Sequence, residues 1–83
     1  MSVERSLGQR RVGVDFNPSG STTINSVKRR AADIIDRLNA LPNRDAETRR
    51  TVEKAMDEIE GAAMWAVKAV AMAERAATAP DSA

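Results

Sequence analysis

The side chains best suited to chemistry lie in one stretch near the start of the chain. Phe16, Asn17, Ser19, Gly20, Ser21, Thr22 and Thr23 form a run of aromatic, amide, glycine and hydroxyl residues, flanked by Arg10 and Arg11 before it and Lys28 after it. A glycine-bearing turn that opens into a helix presents unpaired backbone N–H groups and a positive dipole end, and anions bind such places. The hydroxyls and Lys28 add phosphate donors, and Phe16, the only Phe, offers a face on which a base can stack. The bland alternative is that Phe16 pins the segment as a staple while Ser and Thr only cap the helix.

Turnover is a different matter. The chain has no His, no Cys and no Tyr, so any general base poised near neutral pH would be an improvised carboxylate or lysine. No HExxH pair or Walker-type glycine loop is present. The acidic set Asp57, Glu58 and Glu60 resembles a metal cluster only superficially and reads as a solvated helix face. The expectation is binding without catalysis, with no cofactor and no metal.

Two helices must position these residues. Ile24, Val27, Ala31, Ile34, Leu38 and Leu41 follow a 3,4,3,4,3 spacing, which predicts a first helix over 23–41 with this seam turned to a partner and Lys28 on another, exposed face. Ser21 or Thr22 is the expected N-cap. Pro42 and Asn43 end the helix, and Asp45 caps the next. Val52, Met56, Ile59, Ala63, Ala66, Val70 and Ala73 then mark the stripe of a second helix over 46–77, on the order of 45 Å long. The short connection folds it back antiparallel. Before the hairpin, residues 1–22 read as an arm and turn: Val12, Val14 and Phe16 alternate with Gly13 and Asp15, predicting a short strand or an extended segment. Asn17-Pro18-Ser19-Gly20 is a turn signature. Residues 78–83 read as a frayed tail.

Between Gly61 and Ala73 the second helix is apolar nearly all round, with Met64, Trp65 and Val67 among its large residues and Lys68 its only charge. Such a helix needs cover on several sides. The first helix is too short to reach the whole of the second, so the segment around Trp65 is expected to be left for other subunits, with Met64, Trp65, Val67 and Lys68 at the interface. A chain of 83 residues without Cys or His has few other means of support. The expected fold is all-α: a single domain over 1–83, an antiparallel helical hairpin with an extended N-terminal arm, assembled as a homo-oligomer.

Charge narrows the partners. Thirteen basic and twelve acidic residues leave a net charge of +1, too balanced for a general DNA binder. Residues 1–30 nevertheless hold six basic against two acidic residues, which favours a small anionic ligand at that end. No apolar run is long enough to span a bilayer and the N-terminal segment lacks the apolar core of a signal peptide, so a cytoplasmic protein without a membrane partner is expected.

Two stretches, RRVGVDFNPSG followed by SVKRRAADIIDRL, and EGAAMWAVKAVA, resemble the small phage helical-hairpin proteins of the anti-CBASS and anti-Thoeris sponge family. The resemblance covers roughly residues 7 to 73. It implies a homo-oligomer, commonly a hexamer, that sequesters cyclic dinucleotides in pockets between protomers and, in some members, cyclic trinucleotides at a distinct site, returning the ligand intact. It implies a base-stacking role for Phe16 and a phosphate contact for Lys28, and would place the protein in the host cytoplasm. A family pattern with a hydroxyl-bearing aromatic is not met here, since the sequence has no Tyr. The competing class is an oligomeric hairpin that acts as a structural or regulatory adaptor on a protein partner; a small DNA-binding regulator is disfavoured because the basic residues are not gathered on one helix face.

Overall fold

The computed structural model describes residues 4–42 and 45–78. The expectations for Asn43 and for the tail beyond Thr78 lie outside the described residues. Three helices follow one another: α1 over Leu7–Val12, α2 over Thr22–Asn39 and α3 over Ala46–Thr78. No strand is present among the described residues.

The first correction is the arm. Its middle is α1, followed by a turn at 13–15, rather than a strand through Val12, Val14 and Phe16. Local chemistry explains this. Ser6 and Gln9 form a reciprocal cap in which the Gln9 amide donates to Ser6 Oγ at 3.1 Å and the Ser6 amide donates to Gln9 Oε1 at 2.9 Å, satisfying two donors at the helix start. Gly13 closes the other end with φ 66°, a conformation that costs glycine little. The alternation of valines reflects burial on two sides: Val12 packs on the core cluster and Val14 is 6% exposed.

α1 lies directly on α2. A Cβ on Gly8 would come within 2.1 Å of the Ala32 carbonyl oxygen, so only glycine permits this approach. The Gly8 amide, unpaired within its own first turn, donates to Asp36 Oδ1 at 2.7 Å.

This contact rotates the buried face of α2 and produces the second correction. Ile24 and Ala31 are buried as the seam required, but Lys28, Ala32 and Ile35 join them, while Ile34 and Leu41 are 44% and 48% exposed. α2 is wedged between α1 on one side and α3 on the other, so its covered arc is wider than a two-helix seam and displaced toward α1. Ser21 is the N-cap, accepting from the Ile24 amide at 3.1 Å. The helix stops at Asn39, two residues short of Leu41, in a tightened last turn where the Leu41 amide donates to the Leu38 carbonyl.

α2 and α3 run antiparallel. Ile35, Val52 and Met56 form the central cluster, with Leu7, Val12, Leu38 and Ile59 packed against it; at the far end Ser21 Oγ donates to Glu74 Oε2 at 2.9 Å. α2 therefore reaches as far along α3 as Glu74. This is the third correction: the segment around Trp65 does not overhang the hairpin but lies beside α2, and what is left bare is its outer side. The thinnest extent of the molecule, 12 Å, is about one helix diameter, so among the described residues no second layer covers α3 from outside.

Candidate functional site

The loop between α1 and α2 is built over one lysine. Lys28 is 7% exposed, which corrects its expected place on an exposed helix face. Its ammonium donates to the Gly13 carbonyl at 3.0 Å and to the Phe16 carbonyl, and lies 5.4 Å from the centroid of the Phe16 ring. The Phe16 amide in turn donates to the Gly13 carbonyl at 3.0 Å, closing a tight turn around the same oxygen. An ammonium has three donors; two go to backbone carbonyls. No carboxylate pairs with Lys28 among the described residues, and a charge taken out of water without a counter-charge is costly.

The Phe16 ring itself is 73% exposed. A staple would be buried, so the geometry disfavours that reading and leaves one face of the ring available. Two adjoining concavities flank it. One of about 300 Å³ is lined by Val12, Phe16, Lys28, Ala63, Met64 and Val67. The other, of about 220 Å³, takes in Asn17, Pro18, Ser19 and Ile24, with Ala71 on its α3 wall. Together they make a mostly apolar trough with an aromatic ring and one cation, the composition usual for small-molecule sites.

Of the residues singled out in the sequence, the structure brings Phe16, Asn17, Ser19 and Lys28 together. Asn17 and Ser19 also serve the loop: Asn17 Nδ2 donates to the Ser21 carbonyl at 2.8 Å, and the Ser21 amide donates to Ser19 Oγ at 3.3 Å. Ser21 is spent as the cap. Its hydroxyl also meets Glu74, so a carboxylate from α3 already stands at the start of α2, where the dipole favours an anion. Gly20 closes the second turn, its amide donating to the Asn17 carbonyl at 3.0 Å. Thr23 is exposed.

The two arginines lie elsewhere. Arg10 reaches back to the Arg5 carbonyl at 2.7 Å. Arg11 forks onto α3, with Nε on Glu60 Oε1 and Nη2 on Asp57 Oδ1, both at 2.6 Å. Hydrogen bonding to Glu60 and then Asp57 raises its pKa further above an already high value. Arg11 thus ties α1 to α3, and two members of the acidic set are its partners.

The α3 wall of the trough was not legible as a site. Ala63, Val67 and Ala71 recur every four residues; Ala63 and Ala71 read simply as part of an apolar helix and Val67 as a subunit contact, and only the position of the loop opposite them makes them a wall of the trough. Met64, 69% exposed, stands at the rim of the trough; on the outer side of α3 Trp65 is 71% exposed, and Lys68 Nζ lies 5.2 Å from its ring centroid. Val67 faces the trough.

Residues 8–71 match the family described as Acb2/Tad1, hairpin domain. The chain belongs to this family. These are the anti-CBASS and anti-Thoeris cyclic nucleotide sponges, which sequester a signal and do not turn it over. The matched span begins inside α1 and ends within α3, so it contains the loop, Lys28 and the whole trough. No curated protein and no solved structure matches the chain. Among the described residues, no helix is long and apolar enough to cross a membrane.

Proposed function

We propose that this hairpin protein binds cyclic oligonucleotide second messengers, cyclic dinucleotides foremost and cyclic trinucleotides as a further class, and holds them without degrading them. The observation that carries this reading is the Lys28 ammonium: it is buried beneath an exposed aromatic ring and, among the described residues, paired with backbone carbonyls alone. A phosphate diester at the trough would supply the missing counter-charge through the third ammonium donor, and a base would lie on Phe16. The apolar α3 wall suits the flat faces of nucleobases. With no His, Cys or Tyr in the chain, the trough holds no group suited to moving protons at neutral pH.

In the same reading the protein is a homo-oligomer, with a hexamer as the expected form. Met64, Trp65 and Lys68 meet other copies, and Val67 links the interface helix to the trough. It acts in the cytoplasm of a host attacked by phage. Phe16, Asn17, Ser19 and Lys28 line the site, Gly20 and Ser21 hold its loop and Thr23 flanks it, while Arg10 and Arg11 stand outside it, Arg11 tying α1 to α3.

Calorimetric titration against a panel of cyclic di- and trinucleotides tests this. Saturable binding is expected, weakened about ten- to a hundredfold in Phe16→Ala by lost stacking. That substitution should leave thermal stability nearly unchanged, because the ring is already in water. Absence of binding across the panel would overturn the reading.

A further inference from the structure

α3 carries a second stripe, on the side away from the core. Glu58, Ala62, Trp65, Ala69, Met72 and Ala76 follow one another at spacings of four, three, four, three and four, and all six are exposed. This is the seven-residue repeat of a helix-helix seam. Within it small and large residues alternate in register: alanine at 62, 69 and 76, Trp65 and Met72 between them.

We infer that a second copy of the chain covers this stripe, α3 against α3, antiparallel about a two-fold axis level with Val67. The inference rests on the reading that the protein assembles with itself and adds the surface, the direction and the register. About that axis Trp65 of one copy lies level with Ala69 of the other, and Met72 with Ala62, so a large side chain meets a small one in every layer. Glu58 comes level with Ala76 and within one residue of Arg75, an opposite charge at each end of the seam. A parallel pairing would set Trp65 on Trp65, leave alanine facing alanine, and bring Glu58 beside its own copy.

The area is sufficient. Trp65, Met72 and the alanines offer on the order of 500 Å² per copy, placing the contact near the lower bound of a specific interface. The seam leaves the trough open, because Ala63, Val67 and Ala71 lie on the opposite side of α3. A two-fold contact of this kind builds assemblies of even number, and a hexamer then requires one further contact.

The absence of cysteine from the chain gives a clean test. Ala62→Cys and Met72→Cys are expressed singly and co-expressed with distinguishable tags, then exposed to a mild oxidant without any nucleotide. In the antiparallel register residue 62 of one copy lies level with residue 72 of the other, whereas identical positions are about 15 Å apart along the axis, beyond a disulfide's reach. A disulfide dimer is expected only on co-expression, joining one chain of each kind. Self-linking of either single variant, or no linkage in any sample, overturns the proposal. A charge swap checks the register independently: Glu58→Arg and Arg75→Glu should each weaken self-association at least tenfold, and the double variant should regain most of it. Failure to regain it also counts against the register. Because these readouts use no nucleotide, they fail or succeed separately from the titrations that judge the sponge reading.

Discussion

Replacing Lys28 by Met separates its two duties. The substitution keeps the aliphatic stem in the core and removes only the ammonium, which bonds the Gly13 and Phe16 carbonyls. A hydrogen bond to a charged donor contributes about 1.5 to 3 kcal/mol. Against that, removing a buried charge recovers several kcal/mol of hydration cost, and the two carbonyls sit on a surface loop where water can replace the donor. The net loss of stability should be about 1 to 2 kcal/mol, a fall in Tm of roughly 4 to 16 °C for a domain this small. Lys28→Ala removes about three buried methylenes as well, about 2 kcal/mol more, and is the poorer probe. For the ligand, loss of the third ammonium donor should cost about ten- to a hundredfold in affinity. Thermal denaturation and calorimetric titration of Lys28→Met, the latter well below its Tm, read the two effects separately. If the variant melts lower yet binds within threefold of the parent, Lys28 is a loop anchor alone and the phosphate lies elsewhere.

The other substitutions probe how the site is held. Gly8→Ala drives a Cβ into the Ala32 backbone; it should cost about 1 to 3 kcal/mol by chemical denaturation and weaken binding further, since α1 carries the loop. Arg11→Met breaks the fork to Asp57 and Glu60 and should cost about 1 to 2 kcal/mol, an effect that shrinks in high salt. Acid should act at the start of α3. The Thr48 amide donates to Asp45 Oδ1 at 2.6 Å and holds that carboxyl below its usual value. The folded state therefore favours the ionised form. Its contribution is complete above the ordinary aspartate range and is lost as pH falls through and below it. A melting curve series from neutral pH to about pH 3 should show a steeper decline for the parent than for Asp45→Asn.

The hairpin could be read from the sequence because its apolar periods and its caps agree: Ser21 and Asp45 stand where side-chain oxygens must accept the first amides of α2 and α3. α1 was missed for a physical reason. Six residues give almost no helical period, so the alternating valines dominated, although Ser6 with Gln9 and then Gly13 spell a start and a stop. Lys28 shows a second limit. Pattern places a lysine in solvent, and only the loop that folds over it, offering two carbonyls, makes its burial tolerable. The same loop turns Ala63 and Val67 into the wall of a trough. None of this can be seen from α2 or α3 alone.

The central claim is capture without turnover, and one experiment addresses it most directly. The purified protein is saturated with a 3′,3′-linked cyclic dinucleotide, freed of excess ligand, held for hours, and then heat-denatured; the released material is identified by chromatography and mass spectrometry. Recovery of the intact cyclic nucleotide is expected, in an amount close to that bound and independent of the holding time. Linear nucleotides accumulating with time, or no nucleotide carried through the separation, would contradict it.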